Sequence, residues 1–283
     1  MREEYAQLLP KWYQCDEEHD LVLSDDIDSL ASCAVLNMIK GWKIKYFYDF
    51  NTIYASKEIQ KRRNKRCWVD IATYKGRAFD NHVSKVSEWE SWNKSMINLN
   101  QMCEVTNDNY TDKYAGSTLL TVWSVYNIPL PETEEGKMLL MCIDSAYKGF
   151  YATNFKDIQK HYLIDVLGLD GLYSVICRHD AEEFDDLIIK YNLRKKISYW
   201  DGDIHTNLPL DKIGQVLGLD LNIIPKSEFK VCTRLEQIQA DIKADDCFTD
   251  DISPEIKTLA ITYKGKVKYS KIRREDKCMY AEE

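Results

Sequence analysis

The chain has 283 residues, of which 45% are apolar and 30% charged, and its formal net charge is −8 at neutral pH. That length suits one large or two ordinary domains. The acidic balance argues against a broad duplex-DNA footprint, whose affinity comes from displacing counterions with a basic surface, and no apolar run approaches the about 18 residues that a membrane span needs. The nine cysteines are odd in number and form no CxxC pair, which favours reduced thiols over disulfides or a zinc knuckle. The opening stretch MREEYAQLLPKWYQCDEEHD has no apolar signal core, so a cytoplasmic location is expected.

An amphipathic helix is expected over Glu3 to Tyr13. The decisive stretch follows it: Leu21 to Leu36, LVLSDDIDSLASCAVL, reads as a strand, an acidic turn with Asp25, Asp26 and Asp28, and a helix from Ser29 to about Lys40 that Gly41 ends. In open parallel sheets ligands collect beyond the carboxyl ends of the strands, which is where these acids stand. Three carboxylates in four residues repel one another unless a cation offsets them, and a hard divalent ion does so most simply. Plain N-capping by Asp28 or Ser29 is the alternative.

Lys43 to Phe50 reads as a second strand. Ser56 to Arg66 is the most basic run, either a guide for a phosphate backbone or a solvated helix face. Cys67 to Ala72, CWVDIA, is a buried strand delivering Asp70. A turn-like link, Tyr74-Lys75-Gly76-Arg77, leaves room for a short hairpin and offers Arg77 as a substrate contact; it leads to Asp80-Asn81-His82. Trp89, Trp92, Met96 and Leu99 have the spacing of a core or covering helix within Lys85 to Asn109, with base stacking on a tryptophan as the other reading. Gly116, Ser117 and Thr118 precede a helical run, Leu119 to Tyr126, where a phosphate could approach free backbone N–H groups. Lys137 to Ile143, KMLLMCI, reads as a strand ending on Asp144.

Three strands that each hand an aspartate to one side of a sheet, in this order with Asp-Asn-His and Gly-Ser-Thr between them, resemble the DHH phosphoesterase superfamily of RecJ-like exonucleases, oligoribonucleases, cyclic-dinucleotide phosphodiesterases and manganese pyrophosphatases. Asp26-Ile27-Asp28-Ser29 matches its first motif, Asp70 its second, Asp80-Asn81-His82 its Asp-His-His, Gly116 to Thr118 its small-residue helix start, and Asp144 its last acid. The likeness covers about residues 15–155. It implies an α/β fold, a parallel sheet flanked by helices over 1–155, then a helical connector over 156–195 and a smaller α+β substrate-binding domain over 196–283. It also implies up to two Mn2+ or Mg2+ ions per chain, with Asp70 bridging, Asp26 on one ion, and Asp28, Asp144 and Asn81 on the other. His82 and the backbone near Ser117 would face the substrate phosphate, with Asp80 orienting its neighbours. The implied activity is hydrolysis of a phosphodiester in a short or single-stranded oligonucleotide or small nucleotide. A binder without turnover and a pyrophosphatase are the alternatives. Asn81 departs from the pattern, because an amide lacks the imidazole nitrogen that suits manganese.

The C-terminal half offers helices over Phe155 to Leu167 and Ala181 to Tyr191, and a hairpin of Lys257 to Tyr263 with Lys266 to Ile272. Asp201-Gly202-Asp203-Ile204-His205 is a turn signal or a second metal site. Arg178, His179, Arg234, Arg273 and Arg274 are candidate phosphate contacts. The family's glycine-rich C-terminal motif is missing.

Overall fold

The computed structural model describes residues 1–59, 64–242 and 256–273. The first helix, α1 (Glu3–Ala6), is one turn long, and Pro10 separates it from a 3-10 turn at Lys11–Gln14, so the helix expected to reach Tyr13 is broken. Strand β1 (His19–Leu23) then leads into α2 (Ile27–Lys40), capped by Asp26 and closed by Gly41 in the left-handed region at φ 70°. Strands β2 (Lys43–Tyr48), β3 (Thr52–Ser56), β4 (Lys65–Val69), β5 (Arg77–Asp80) and β6 (Met96–Asn98) follow, then α3 (Leu99–Met102), α4 (Thr118–Val125) and α5 (Glu134–Cys142). The second half comprises α6 (Lys148–Tyr151), α7 (Lys156–Lys160) running into a π turn at His161–Val166, α8 (Asp170–Ile176), α9 (Ala181–Lys190), β7 (Ile197–Trp200), β8 (Asp203–Thr206), α10 (Leu210–Leu217), β9 (Phe229–Asp241), β10 (Ile256–Tyr263) and β11 (Lys266–Ile272).

Two expectations are corrected here. The run KMLLMCI is helix, not strand: a short apolar run does not separate the two by periodicity, and the Thr133 hydroxyl, accepting from the Gly136 N–H at 3.0 Å, starts a helix just upstream. The helix expected within Lys85 to Asn109 is reduced to α3, because asparagine side chains bond the backbone and hold turns instead. Asn93 donates to the Thr73 and Gly76 carbonyls at 3.2 and 2.7 Å and accepts from Ser95 N–H at 3.0 Å. Trp89 is consequently 91% exposed.

The fold is α/β, built on a sheet of nine described strands in the order β10-β11-β9-β3-β2-β1-β4-β5-β6. Five of them, β2-β1-β4-β5-β6, are mutually parallel, while β3, β9, β11 and β10 continue antiparallel. The link between β4 and β5 makes no hairpin: Cys67 pairs with Arg77 in parallel register. Alternation along the strands sorts the core onto two faces. Leu21, Leu23, Cys67, Val69 and Phe79 meet α2 and α4, whereas Val22, Tyr46, Tyr48, Trp68 and Ala78 pack inside the curl of the sheet with Ile53 and Leu235. The curl brings β10 back onto the loops after β4 and β5, where Leu259 N–H donates to the Ala72 carbonyl at 2.8 Å and Ile261 N–H to the Val83 carbonyl at 2.7 Å. Of the strands in the expected C-terminal region, β9, β10 and β11 therefore extend the sheet begun by the N-terminal half, while β7 and β8 form a separate two-stranded sheet. The hairpin of β10 and β11 turns at Lys264-Gly265 as its sequence indicates. Among the described residues no helix is long and apolar enough to cross a membrane.

Candidate metal centre

The parallel strands place their acids through local hydrogen bonds. At the end of β1 the Ser29 hydroxyl accepts from Ser24 N–H and donates to the Val69 carbonyl, both at 2.8 Å, tying β1 to β4. Asp70 turns off β4 with φ 59°, and its N–H donates to the Phe79 carbonyl at 2.8 Å. Asp144 and Ser145, beyond α5, also lie in the left-handed region at φ 52° and 54°. Backbone held in this sparsely populated region collects at functional sites, where surrounding structure overdetermines it.

Asp80, wholly buried at the end of β5, accepts from His82 Nδ1 at 2.7 Å, from His82 N–H at 3.0 Å and from Asn98 Nδ2 at 2.7 Å. It holds the imidazole by one nitrogen and leaves Nε2 as the ring atom offered to the site. Asp70 accepts from the Thr118 hydroxyl at 2.8 Å. Ligand atoms of Asp70, Asp80 and His82 all lie within 4.8 Å of one another. Two carboxylates and an imidazole are a donor set that suits Mn2+ and tolerates Mg2+.

Asp28 and Asp144 crowd the same region without joining that triad. Burial raises the Asp28 acid well above the usual carboxylate range, and the charges of Asp70, Asp144 and Asp26 raise it further. Asp70 is likewise raised by burial and by Asp26, with His82 pulling the other way. Asp144 lines the wall of an open cleft and is exposed to solvent; desolvation by its surroundings raises its acid, opposed by His82. For His82, burial disfavours the charged ring, but Asp80, Asp70 and Asp144 outweigh it and raise the imidazolium to about 10. Acids that hold one another protonated are what a bound cation would discharge, so the residues fit a divalent ion.

Asp28 also anchors a helix. Its two oxygens accept from the Thr118 and Leu119 N–H groups at 2.8 Å each, and the Ser117 hydroxyl accepts from Leu120 N–H at 3.1 Å. The N-terminus of α4 is thereby satisfied from within. Gly116, Ser117 and Thr118 are at the site, but the N–H groups of Thr118, Leu119 and Leu120 are taken and do not await a phosphate. Gly116 is required where it is: a Cβ there would lie 2.3 Å from the Tyr114 hydroxyl oxygen. Its carbonyl accepts from Asn81 Nδ2, which also donates to Asp144 at 3.1 Å. Asn81 thus bridges two neighbours as a donor.

Arg77 is displaced from the expected role. It opens β5, at the opposite end from Asp80, where it bonds Glu17 at 2.6 Å and His19 and lies over Trp12. Arg178 and His179 are held by Glu134 and Glu183. Of the basic run, Lys57 pairs with Glu228, Lys65 with Glu17, and Arg66 lies 4.5 Å over Tyr46. Lys61, Arg62, Arg63 and Arg274 fall outside the described residues. Asp201 and Gly202, with φ 53° and 88°, form the turn of the β7–β8 hairpin, as the turn reading had it.

Sequence reasoning missed the cations. Lys196 Nζ donates to Asp25 at 2.9 Å and Asp26 at 3.3 Å, and with Arg194 it lines a cleft of about 250 Å³ beside Asp28, Asp144 and Ser145. The local signal was the run Arg194-Lys195-Lys196, but nothing in it tells that the chain returns to Asp26. Comparison of the chain with family models, curated proteins and solved structures found no match.

Proposed function

We propose that this chain is a divalent-metal-dependent phosphodiester hydrolase acting on short or single-stranded oligonucleotides or small nucleotides, in the manner of the DHH phosphoesterases that its motifs resemble. The supporting observation is the convergence of Asp70, Asp80 and His82 within 4.8 Å at the carboxyl ends of parallel strands, with the raised acids of Asp28 and Asp144 crowded beside them. Asp70, Asp80 and His82 would hold the ion. A divalent cation supplies there a bound water of lowered pKa and positive charge for phosphoryl oxygens.

The chain's own groups do the rest. Asp80 fixes the His82 ring so that Nε2 points its lone pair or proton in one direction. Thr118 fixes one oxygen of Asp70, and Asp28 anchors α4 so that Thr118 stays in place. Lys196, paired with Asp25 and Asp26, and Arg194 set two cations among the acids of the cleft, and with a divalent ion bound they would draw an anionic substrate towards it.

The contact of Asn81 with Asp144 supports one ion rather than two. An amide N–H occupies the relation to Asp144 that a second cation would otherwise have. The test is a panel of short oligonucleotides, cyclic dinucleotides and pyrophosphate with Mn2+, run on the wild type, Asp28→Ala and Asn81→His. Cleavage of a phosphodiester that disappears with chelator is the expected result. Retention of nucleotide without turnover under every metal condition would replace the enzyme by a binding protein, and preferential consumption of pyrophosphate would replace it by a pyrophosphatase.

A further inference from the structure

The β7–β8 hairpin carries residues of alternating fate. Ile197 is buried and Tyr199 is turned inward, its ring stacked on Tyr54 at 3.8 Å and 25°, whereas Lys196, Ser198 and Trp200 are exposed. Lys196 already lies against Asp25 and Asp26, and Ile197 N–H donates to the Asp25 carbonyl at 2.7 Å, so the hairpin is bonded to the metal-centre loop at one end. At the other end the Phe229 N–H donates to the Gly202 carbonyl at 2.7 Å. The hairpin is thus fixed at both ends and along its inner face.

On the outer face Trp200 is 58% exposed, and the His205 ring of the neighbouring strand stacks on it at 4.1 Å and 22°. A tryptophan half in water on a fixed hairpin is a flat apolar surface already oriented. Trp200 is four residues from Lys196 on the same side of the strand, about 13 Å along it at the usual rise.

We infer that the outer face of the β7–β8 hairpin is a base-stacking platform for single-stranded nucleic acid, with Trp200 as its surface and the strand's phosphate in the Lys196 cleft. This inference rests on the phosphodiester reading above and names its substrate class. Stacking on an aromatic ring accepts any base, because every base has a π-face, and it needs the base unpaired, so duplexes are excluded. Asp203 is paired across the hairpin with Trp200 and Asp201 stands in the turn, so a strand's phosphates approach the platform from the Lys196 side, away from these acids.

The experiment measures anisotropy of a labelled short single-stranded oligonucleotide in an Asp70→Asn background, so that no turnover occurs, beside an abasic oligonucleotide of the same backbone. The base-bearing strand binds more tightly; Trp200→Ala removes that advantage, weakening binding roughly 5- to 100-fold, and Trp200→Phe keeps most of it. Equal binding of both strands by the parent, or an equal loss on both strands in Trp200→Ala, overturns the platform. So does a parent that sediments as a dimer and is made monomeric by Trp200→Ala, since Trp200 would then be an interface residue. Separately, Mn2+-dependent hydrolysis of bis(p-nitrophenyl) phosphate by the unmutated chain tests the phosphodiester reading without any base. Failure there, with base-dependent binding intact, removes the hydrolase and leaves the platform.

Discussion

The two ends of the parallel strands treat charge in opposite ways. At the amino ends, Glu17 is bracketed by Arg77 and Lys65, whose hydrogen bonds lower its acid to about 2, and Arg77 in turn covers Trp12 and His19. At the carboxyl ends, Asp28 and Asp70 are both buried and both raised, Asp28 by the charge of Asp70 and Asp70 by that of Asp26, and they have the imidazole of His82 and the cleft cations for company. One rim of the sheet is neutralised by its own side chains and the other is short of positive charge. Crowded buried acids oppose folding; under the function proposed above, a divalent cation taken from solution offsets that cost.

The sharpest way to break this contrast is Asp70→Ala. Loss of a ligand from the triad is expected to reduce metal-dependent hydrolysis by at least about 100-fold, while calorimetry shows weakened Mn2+ binding; unchanged turnover would move the chemistry elsewhere.

Divalent metal should next separate the two rims by stability. Mn2+ at 100 times its dissociation constant adds about 2.7 kcal/mol. The sign with pH follows from the raised acids. Asp28 and Asp70 hold protons in the folded chain at pH values where the unfolded chain has released them, so the metal-free protein loses stability as pH rises above the usual carboxylate range. Metal-induced stabilisation should therefore grow over the same rise, as protons cease to compete. Thermal melts with and without Mn2+ across that range measure both slopes, and parallel melting curves would contradict them.

Gly116→Ala tests the packing that carries the acidic rim. Its Cβ would meet the Tyr114 ring, a clash worth about 1–3 kcal/mol by the usual cost of overpacking, visible as a lower denaturation midpoint. The smallest effect belongs to the neutralised rim. Arg77→Ala should leave hydrolysis unchanged while the Glu17 carboxyl returns towards its ordinary titration range by NMR. Glu17 contributes stability above its unfolded value of 4.5 that is lost as pH falls through about 2, so the variant should be less stable near neutral pH and should lose part of that acid dependence, its difference from the wild type closing at low pH. A drop in turnover would place Arg77 at the site after all.

The acid-bearing strands were legible because each is a short apolar run that ends on a carboxylate, a pattern with one meaning in a parallel sheet. Asp26 and Asp70 follow from it directly, whereas Asp80 stands out in the sequence with Asn81 and His82, and the strand β5 that ends on it reads there as part of a turn-like link. Asp144 reaches the site for another reason: the apolar run before it is a helix, and a left-handed turn after that helix supplies the position the strand was expected to supply. Arg77 was misplaced because closeness in sequence to Asp80 says nothing about which end of the strand a residue occupies. Lys196 lies 170 residues from Asp26, and no local pattern encodes a meeting at that distance. Asn81 was visible as a departure, but its bond to Asp144 needed the fold.

One pairing at the edge of the sheet has a consequence for how the centre is made. The loops that follow Asp70 and His82 are both fastened by β10, through Ala72 and Val83. A ribosome releasing this chain would have finished every acid of the centre well before the strand that clasps their loops. Maturation of the centre should therefore wait for the last hairpin, and a chain cut ahead of Ile256 should carry all the acids yet assemble them poorly.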